Sequence, residues 1–492
     1  LRIGFVSVLS LFTACPDAGS VTGVVDEPDT TSTGAPDDTG SPTSTGDAPT
    51  THAFGDTEEP GDSTSSSTSG TSSTSGTSSE TGNADTSSSS GGVVGVCGDG
   101  VVEGDEQCDD GDVLPDDGCS PTCEVGPGAV LPSVELNLAE YEQLFCLAIV
   151  DKQHLGGRTH GLTLGSVVEG AGPEGQRGAH VQQMPLAGGA SSWSYLEHAG
   201  IHGRIPMEAT TMSNGDVVVA GLVWTEDLVA DSGGYLWLAR FTPTGQIVWS
   251  HDIEQVMTQA FDMAMTSDGD IVFAGHTAGY STGNLAHRFR GSDGALLWSY
   301  EEPQSVTHGG SYAGMTLDAD DNVYIVGFRG MYVEPPVPAW AHVRSLDASG
   351  AERWELEHKV ADQNLLGWTI TVTTDEQLIV SGVQYVDIEQ PTTTLFLGLD
   401  LDGALLWSQP WSPDVPQEIR FSAAAPDASG GLYVTGLVKE GLTHHRITAR
   451  FDATGHPVWV NAGGEGWGRD IEVDPDGIVH VLTPAAVIAH LP

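Results

Sequence analysis

Apolar and polar positions alternate most regularly between residues 200 and 460. A polar turn, a short apolar and β-branched run and a closing glycine recur as MSNGDVVVAG (212–221), TSDGDIVFAG (266–275), DADDNVYIVG (318–327), TTDEQLIVSG (373–382) and DASGGLYVTG (427–436). A second pattern follows each: FTPTGQIVW (241–249), RGSDGALLW (290–298), LDASGAERW (346–354), LDLDGALLW (399–407) and FDATGHPVW (451–459). Both patterns set apolar runs on either side of a Gly, Asn or Asp turn, the signature of a hairpin. A repeat of about 50 residues holding two hairpins predicts one four-stranded antiparallel sheet per unit.

Strands that are apolar on both faces must be covered on both faces. Radial stacking of successive sheets does this, and closing the stack into a ring gives a β-propeller. In that arrangement Trp249, Trp298, Trp354, Trp407 and Trp459 serve as wedges between blades. A degenerate unit lies at 145–196, with FCLAIVD, HGLTLGSVV and GGASSWSYL as its pieces and Trp193 in the wedge position. At the other end DIEVDPDGIVHVL and AAVIAHL supply three strands, and PSVELNL (132–138) is the expected source of the fourth. The fold class expected is therefore all-β, a propeller of about seven four-stranded blades over residues 127–492. Cys146 falls on an apolar strand and reads as a buried free thiol.

The chain before residue 127 has a different character. Residues 3–13 (IGFVSVLSLFT) form an apolar run after Arg2 that stops at Ala14-Cys15, too short for a membrane-spanning helix and laid out like an export signal. This segment, 1–15, resembles the signal of bacterial lipoproteins. The resemblance implies lipidation at Cys15, a membrane attached through that lipid, and residence at the outer membrane or cell surface. Residues 16–92 are rich in Ser, Thr, Gly and Asp with almost no large apolar side chains, the composition of a disordered linker.

Residues 93–126 form a third region around CGDGVVEGDEQCDDGDVLPDDGCSPTCEV (97–125). Four close cysteines in an exported chain, Cys97, Cys108, Cys119 and Cys123, read as two disulfides with three possible connectivities. Their spacing does not match paired C-x-x-C zinc ligands. Asp109, Asp110 and Asp112 offer hard oxygen ligands for calcium, although the spacing misses the EF-hand pattern and Asp-Gly pairs also simply make turns. The segments CGDG, EQCDDG and DGC resemble the short cysteine-rich repeat of myxobacterial surface proteins. That resemblance implies an extracytoplasmic surface module of no established activity and does not imply catalysis.

The formal net charge of −51 repels phosphate backbones and argues against nucleic acid as a partner. The half-motif D-x-x-G-x-x-x-W resembles the repeats of quinoprotein-like propellers, which include quinone-dependent dehydrogenases and non-enzymatic assembly lipoproteins. The Cys-Cys pair frequent in the dehydrogenases does not occur here. No cofactor is expected, calcium apart. GYSTG (279–283) and GAGPEG (170–175) match catalytic and nucleotide-binding patterns by sequence but lack the strand-to-helix context that each needs.

Binding in propellers concentrates where loops converge on the central channel. The connections into the innermost strands carry His202, Arg204, His308, Tyr312, Trp368, Arg420, Trp467, Arg469 and Asp470. Arg and aromatic side chains facing one opening suit a glycan, a peptide or a protein partner. The expectation is a monomeric, non-catalytic binding or scaffolding module. An enzyme, a lyase or glycoside hydrolase, would need paired carboxylates, for which Glu208, Asp262 and Asp470 are the candidates. A spacer without a ligand is the third reading.

Overall fold

The computed structural model describes residues 127–492 except for 131–133, 136–141, 155–156, 169–177, 186–190, 198–201, 226–233, 278–283, 303–309, 331–337, 387–391, 414–417, 441–442 and 485. Cys15, the four cysteines of the 93–126 region, Asp109, Asp110, Asp112, His308 and the GYSTG and GAGPEG segments lie outside the described residues. Among those described, the strands form seven four-stranded antiparallel blades. We number the blades along the chain. Their innermost strands are Glu142–His154, His202–Thr211, the second half of Ile247–Met265, Gly310–Leu317, Asn364–Val372, Glu418–Pro426 and Asp470–Val473. Each packs against the innermost strand of the next blade, and the seventh packs against the first, which closes the ring.

The strand Ile247–Met265 leaves the edge of blade 2 and continues to the centre of blade 3. Blade 7 takes three strands from the C-terminus and its outer strand, Val134–Glu135, from the chain's other side, with Val134 opposite Val487 and Glu135 opposite Ala486. The expected exchange of strands is what joins the ends.

The core lies between blades. Along the second strand of blade 2, Val218 and Ala220 join a cluster with blade 3 that includes Phe273 and Phe289, whereas Val217 and Val219 face blade 1 residues Ala179 and Val181. Alternation across the pleat sends successive apolar residues to opposite interfaces, which is why these strands read as unbroken apolar runs.

The repeated glycines have a specific use. In blades 1 to 6 the innermost strand carries a β-bulge opposite or beside the second-strand glycine, as at Pro206/Glu208 against Gly221 and Tyr312/Gly314 against Gly327. A Cβ at Gly221 would stand 2.1 Å from the Ile205 carbonyl oxygen, and one at Gly436 would stand 2.0 Å from that of Arg420. Only glycine allows the bulged strand to approach so closely. The bulge re-aims the residues that follow it along the channel wall.

Each tryptophan wedge docks on a turn glycine of the following blade. Trp298 covers Gly350, whose φ of 85° only glycine adopts readily, and its indole Nε1 donates to the Ala348 carbonyl at 3.1 Å. Trp193 covers Gly245, Trp354 covers Gly403 and Trp407 covers Gly455 in the same way. An arginine from the third strand reinforces two of these joints. Arg240 pairs with Asp216 and shares the Gly291 carbonyl with Trp249, and Arg288 pairs with Asp270 and shares the Ala348 carbonyl with Trp298.

Candidate functional site: the channel mouth and throat

The innermost strands all run in one direction, so residues before or at each bulge lie toward one end of the ring and residues after it lie deeper. Trp368 is the bulge residue of blade 5 and Arg469 precedes Asp470 in blade 7; Arg420 and Trp467 sit one step nearer the opening in blades 6 and 7. The guanidinium of Arg420 lies over the Trp368 ring, 5.6 Å from its centroid, and that of Arg469 lies 5.3 Å from the Trp467 ring. Both indoles are half-buried. Phe328 flanks Trp368 at 6.5 Å and the His444 ring meets Trp467 edge-on at 6.4 Å. Arg420 also contacts Glu418 at 3.6 Å, and Lys439 approaches the same carboxylate at 3.1 Å. Burial lowers the Arg420 pKa, although an arginine stays charged throughout the working pH range. Trp467 is carried between Gly466, at φ 98°, and Gly468, in the segment that turns blade 6 into blade 7.

Two of the expected mouth residues are placed elsewhere, and sequence position alone could not reveal it. Tyr312 is fully buried, stacked on His342 at 6.0 Å in the joint between blades, and desolvation drives its phenol far above the ordinary range. It is a packing residue. Arg204 folds back over its own blade, donating twice to Asp252 at 2.8 and 2.7 Å and covering the buried Trp237 ring at 5.5 Å. His202 begins the blade 2 innermost strand, paired with Thr225.

Below the mouth the wall turns acidic. Glu208, Asp262 and Asp470 occupy the equivalent position in blades 2, 3 and 7, the first residue after the bulge in the first two, and Glu472 lies one pleat deeper. Each keeps part of its surface accessible, as a channel wall must. Loss of bulk water is the main cause that raises all four pKa values, to about 7 for Asp262, about 6 for Asp470 and about 8 for Glu472, with Glu208 also well above the usual carboxylate range. Mutual repulsion adds to the shift in Glu208, Asp262 and Glu472. The aspartates also have a structural use. Asp262 accepts from the amides of Met263 (2.8 Å) and Met315 (2.7 Å), and Asp470 accepts from those of Ile471 (2.8 Å) and Leu147 (2.9 Å), so each ties its blade to the next. Among the described residues neither Glu208 nor Glu472 makes a hydrogen bond, in contrast to the two aspartates.

A second polar cluster sits between blades 3 and 4. Glu302, His342 and Glu355 bring one ligand atom each within 4.8 Å of the others. The cluster is already filled with cations: Glu302 pairs with Arg329 and, at 3.2 Å, with Arg344, while Glu355 pairs with Arg329 at 2.6 Å and Arg344 at 3.2 Å. His342 Nε2 lies 2.9 Å from Glu355, a contact that holds the Glu355 carboxyl down to about 2, and burial lowers His342 to about 4. Two guanidiniums occupy the lone pairs that a metal would need, so this is an ion-pair joint and not a metal centre.

Outside the propeller, a family described as "Domain of unknown function (DUF4215)" matches residues 87–124. No curated protein matches the chain. Among solved structures, a streptogramin B lyase superposes with a TM-score of 0.42 at 11% identity over 73% of this chain and 96% of that one. A polysaccharide lyase of the ulvan lyase type gives 0.43 at 8% over 70% and 91%, and its form bound to a GlcA(1-4)Rha3S saccharide gives 0.44 at 8% over 74% and 95%. Likeness at this level carries no argument about chemistry.

Proposed function

We propose that this chain is a cell-surface lipoprotein, anchored through Cys15, whose propeller is a non-catalytic binding or scaffolding module for a glycan, peptide or protein partner at the channel mouth. The observation that carries the reading is the Trp368–Arg420 stack across neighbouring blades, repeated as Trp467–Arg469 on blade 7. Stacking fixes aromatic and cationic groups in place before any ligand arrives, which lowers the ordering cost of binding.

The enzyme reading rests on a different observation, the raised pKa values of Glu208 and Glu472. A carboxyl that keeps its proton near pH 7 can act as a general acid. We rank it second because Asp262 and Asp470, the partners such a mechanism would ionise, are committed to backbone amides of the next blade.

A binding screen of the full chain against bacterial glycans, cell-wall fragments and peptides separates these readings, run beside a variant with Trp368, Arg420 and Trp467 replaced by Ala. A ligand lost in the folded variant and released unchanged supports the binding module. A ligand converted to product, with conversion lost in Glu208→Gln, supports the enzyme. Binding that the triple variant retains removes the mouth from the account.

A further inference from the structure

We propose that Asn214 is a site of deamidation. Attack by the Gly215 nitrogen converts its side-chain amide to a carboxylate, and the aspartate so formed joins Arg240 in the pair that Asp268 makes with Arg288 one blade on.

The position stands apart both in the sequence and in the ring. Of the asparagines in the chain, only Asn214 precedes a glycine. It is exposed, in the turn that follows the innermost strand of blade 2, at the end of the ring away from the mouth. Strand register makes it the equivalent of Asp268, Asp320, Asp375 and Asp476 in blades 3, 4, 5 and 7. In blade 3 that side chain reaches the arginine of the third strand, with Arg288 Nη2 donating to both Asp268 oxygens at 2.7 and 2.8 Å. In blade 6 the equivalent Ser429 accepts from Arg450 Nη2 at 3.0 Å. Arg240 is bound in blade 2 as Arg288 is in blade 3, each donating to an aspartate of its own turn and to a carbonyl of the next blade. Blade 2 thus has the cation and the turn of blade 3, with an amide in place of the acid.

The turn supplies the reacting groups. Residue 215 has no Cβ to hinder the approach of its nitrogen to the Asn214 Cγ. Asn214 Oδ1 accepts from the Asp216 amide at 3.0 Å, which polarises the carbonyl under attack and stabilises the negative oxygen of the adduct. The Asn214 amide nitrogen, the leaving group, makes no hydrogen bond among the described residues. Gly215 donates to the Met212 carbonyl at 2.8 Å, and that bond must open before its nitrogen loses a proton, so the folded chain reacts more slowly than an unfolded one. The proton passes to hydroxide, the new N–C bond closes a succinimide ring, and the side-chain nitrogen leaves as ammonia with a proton taken from water. Water then cleaves one of the two ring C–N bonds. Cleavage at Cγ restores the backbone and leaves an aspartate beside Arg240. Cleavage at the backbone carbonyl gives isoaspartate, which lengthens the main chain by one atom inside a turn closed by the 2.8 Å bond from the Met212 amide to the Asp216 carbonyl.

The test holds the full chain in mildly alkaline buffer at physiological temperature, folded and in urea, and follows each asparagine by peptide mapping in water enriched in heavy oxygen. In the folded chain Asn214 should convert several-fold faster than Asn284, Asn322, Asn364 or Asn461. Its product should carry one solvent oxygen and include both aspartate and isoaspartate. Asn214 left intact in the folded chain while the urea-unfolded chain converts it, or converted no faster than the other four, overturns the site. Asn214→Asp makes the product directly. It should unfold about 1–2 °C above the wild type, the scale of one partly exposed ion pair in a domain of this size, and Arg240→Gln should erase that difference. No gain, or a gain that survives Arg240→Gln, overturns the pairing with Arg240.

Discussion

The indole of Trp459, at the edge of blade 6, lies against Gly128, which precedes the first strand of the propeller. A Cβ on Gly128 would sit 2.8 Å from the ring, and its φ is 83°. Gly128 thus takes the place that a turn glycine holds at the other joints, such as Gly350 under Trp298. His490 completes the contact, stacked on Trp459 at 5.8 Å with its Nδ1 3.2 Å from the Gly128 carbonyl.

Gly128→Ala should therefore weaken the whole ring and not only its end. The left-handed backbone costs an alanine about 1–2 kcal/mol and the clash with a packed indole adds about 1–3 kcal/mol. Gly463→Ala is the control, since nothing lies within 4 Å of a Cβ there. Thermal unfolding of the two variants should separate clearly, and equal shifts would show that the Trp459 dock does not close the ring.

Glu302 is the hub of the joint between blades 3 and 4. It is 8% exposed, accepts from Asn284 Nδ2 at 2.7 Å, and pairs with both Arg329 and Arg344. Glu302→Gln should cost about 3 kcal/mol, the scale of leaving a buried charge short of its partner. Asp293→Asn, which loosens the exposed Arg290 pair at 3.1 Å away from this cluster, should cost far less, as exposed pairs contribute little. Denaturant titration of both variants tests the contrast; a Glu302 loss no larger than the Asp293 loss would reduce the cluster to surface charge.

The throat carboxylates predict how stability varies with pH. Their folded values, about 6 to about 8 where a figure applies, lie above the unfolded values near 4. The folded chain keeps protons that the unfolded chain gives up, so this stabilisation is full below about pH 4 and is lost as pH rises through about 8. Glu208→Gln removes one such group. It should be more stable than the wild type at pH 8 and show a flatter decline between pH 5 and 8. A slope identical to the wild type would mean that Glu208 titrates normally.

Much of this architecture was legible in the chain. The DVVVAG-type runs are buried on both faces, the GALLW-type runs end on docked tryptophans, and the fourth strand of blade 7 comes from within PSVELNL as Val134–Glu135. Repetition made these visible, because the same interface is solved again in each unit. The mouth was harder to read, since the direction of a side chain there depends on a bulge that shifts register by one residue. Arg204 and Tyr312 precede the bulge on their strands as Arg420 does, but Arg204 lies back on Asp252 and Trp237 while Tyr312 is buried. The equivalence of Glu208, Asp262 and Asp470 could be seen by aligning MEATTMSNG, FDMAMTSDG and RDIEVDPDG. The coupling of Arg288 to the carbonyl of Ala348 in the next blade could not, because no local pattern encodes which neighbour a guanidinium will reach.

His287 lies on the third strand of blade 3, buried, its ring edge-on to Phe289 at 5.8 Å, and neither ring nitrogen has a partner among the described residues. Desolvation lowers its pKa to about 4. A folded value below the unfolded value near 6.5 means that the unfolded chain binds the proton first, so stability is intact above about pH 6.5 and falls as pH drops through about 4. This is opposite in sign to the throat carboxylates. His287→Leu removes an unsatisfied polar ring from a site flanked by Leu285 and Phe289. The variant should gain about 1 kcal/mol at pH 8, where only the lost hydrogen bonds matter, and more at pH 5, where the proton affinity of the unfolded histidine also disappears. Chemical denaturation at both pH values checks this. A variant less stable than the wild type at both would show that the imidazole has a partner and contributes to the joint between blades 2 and 3.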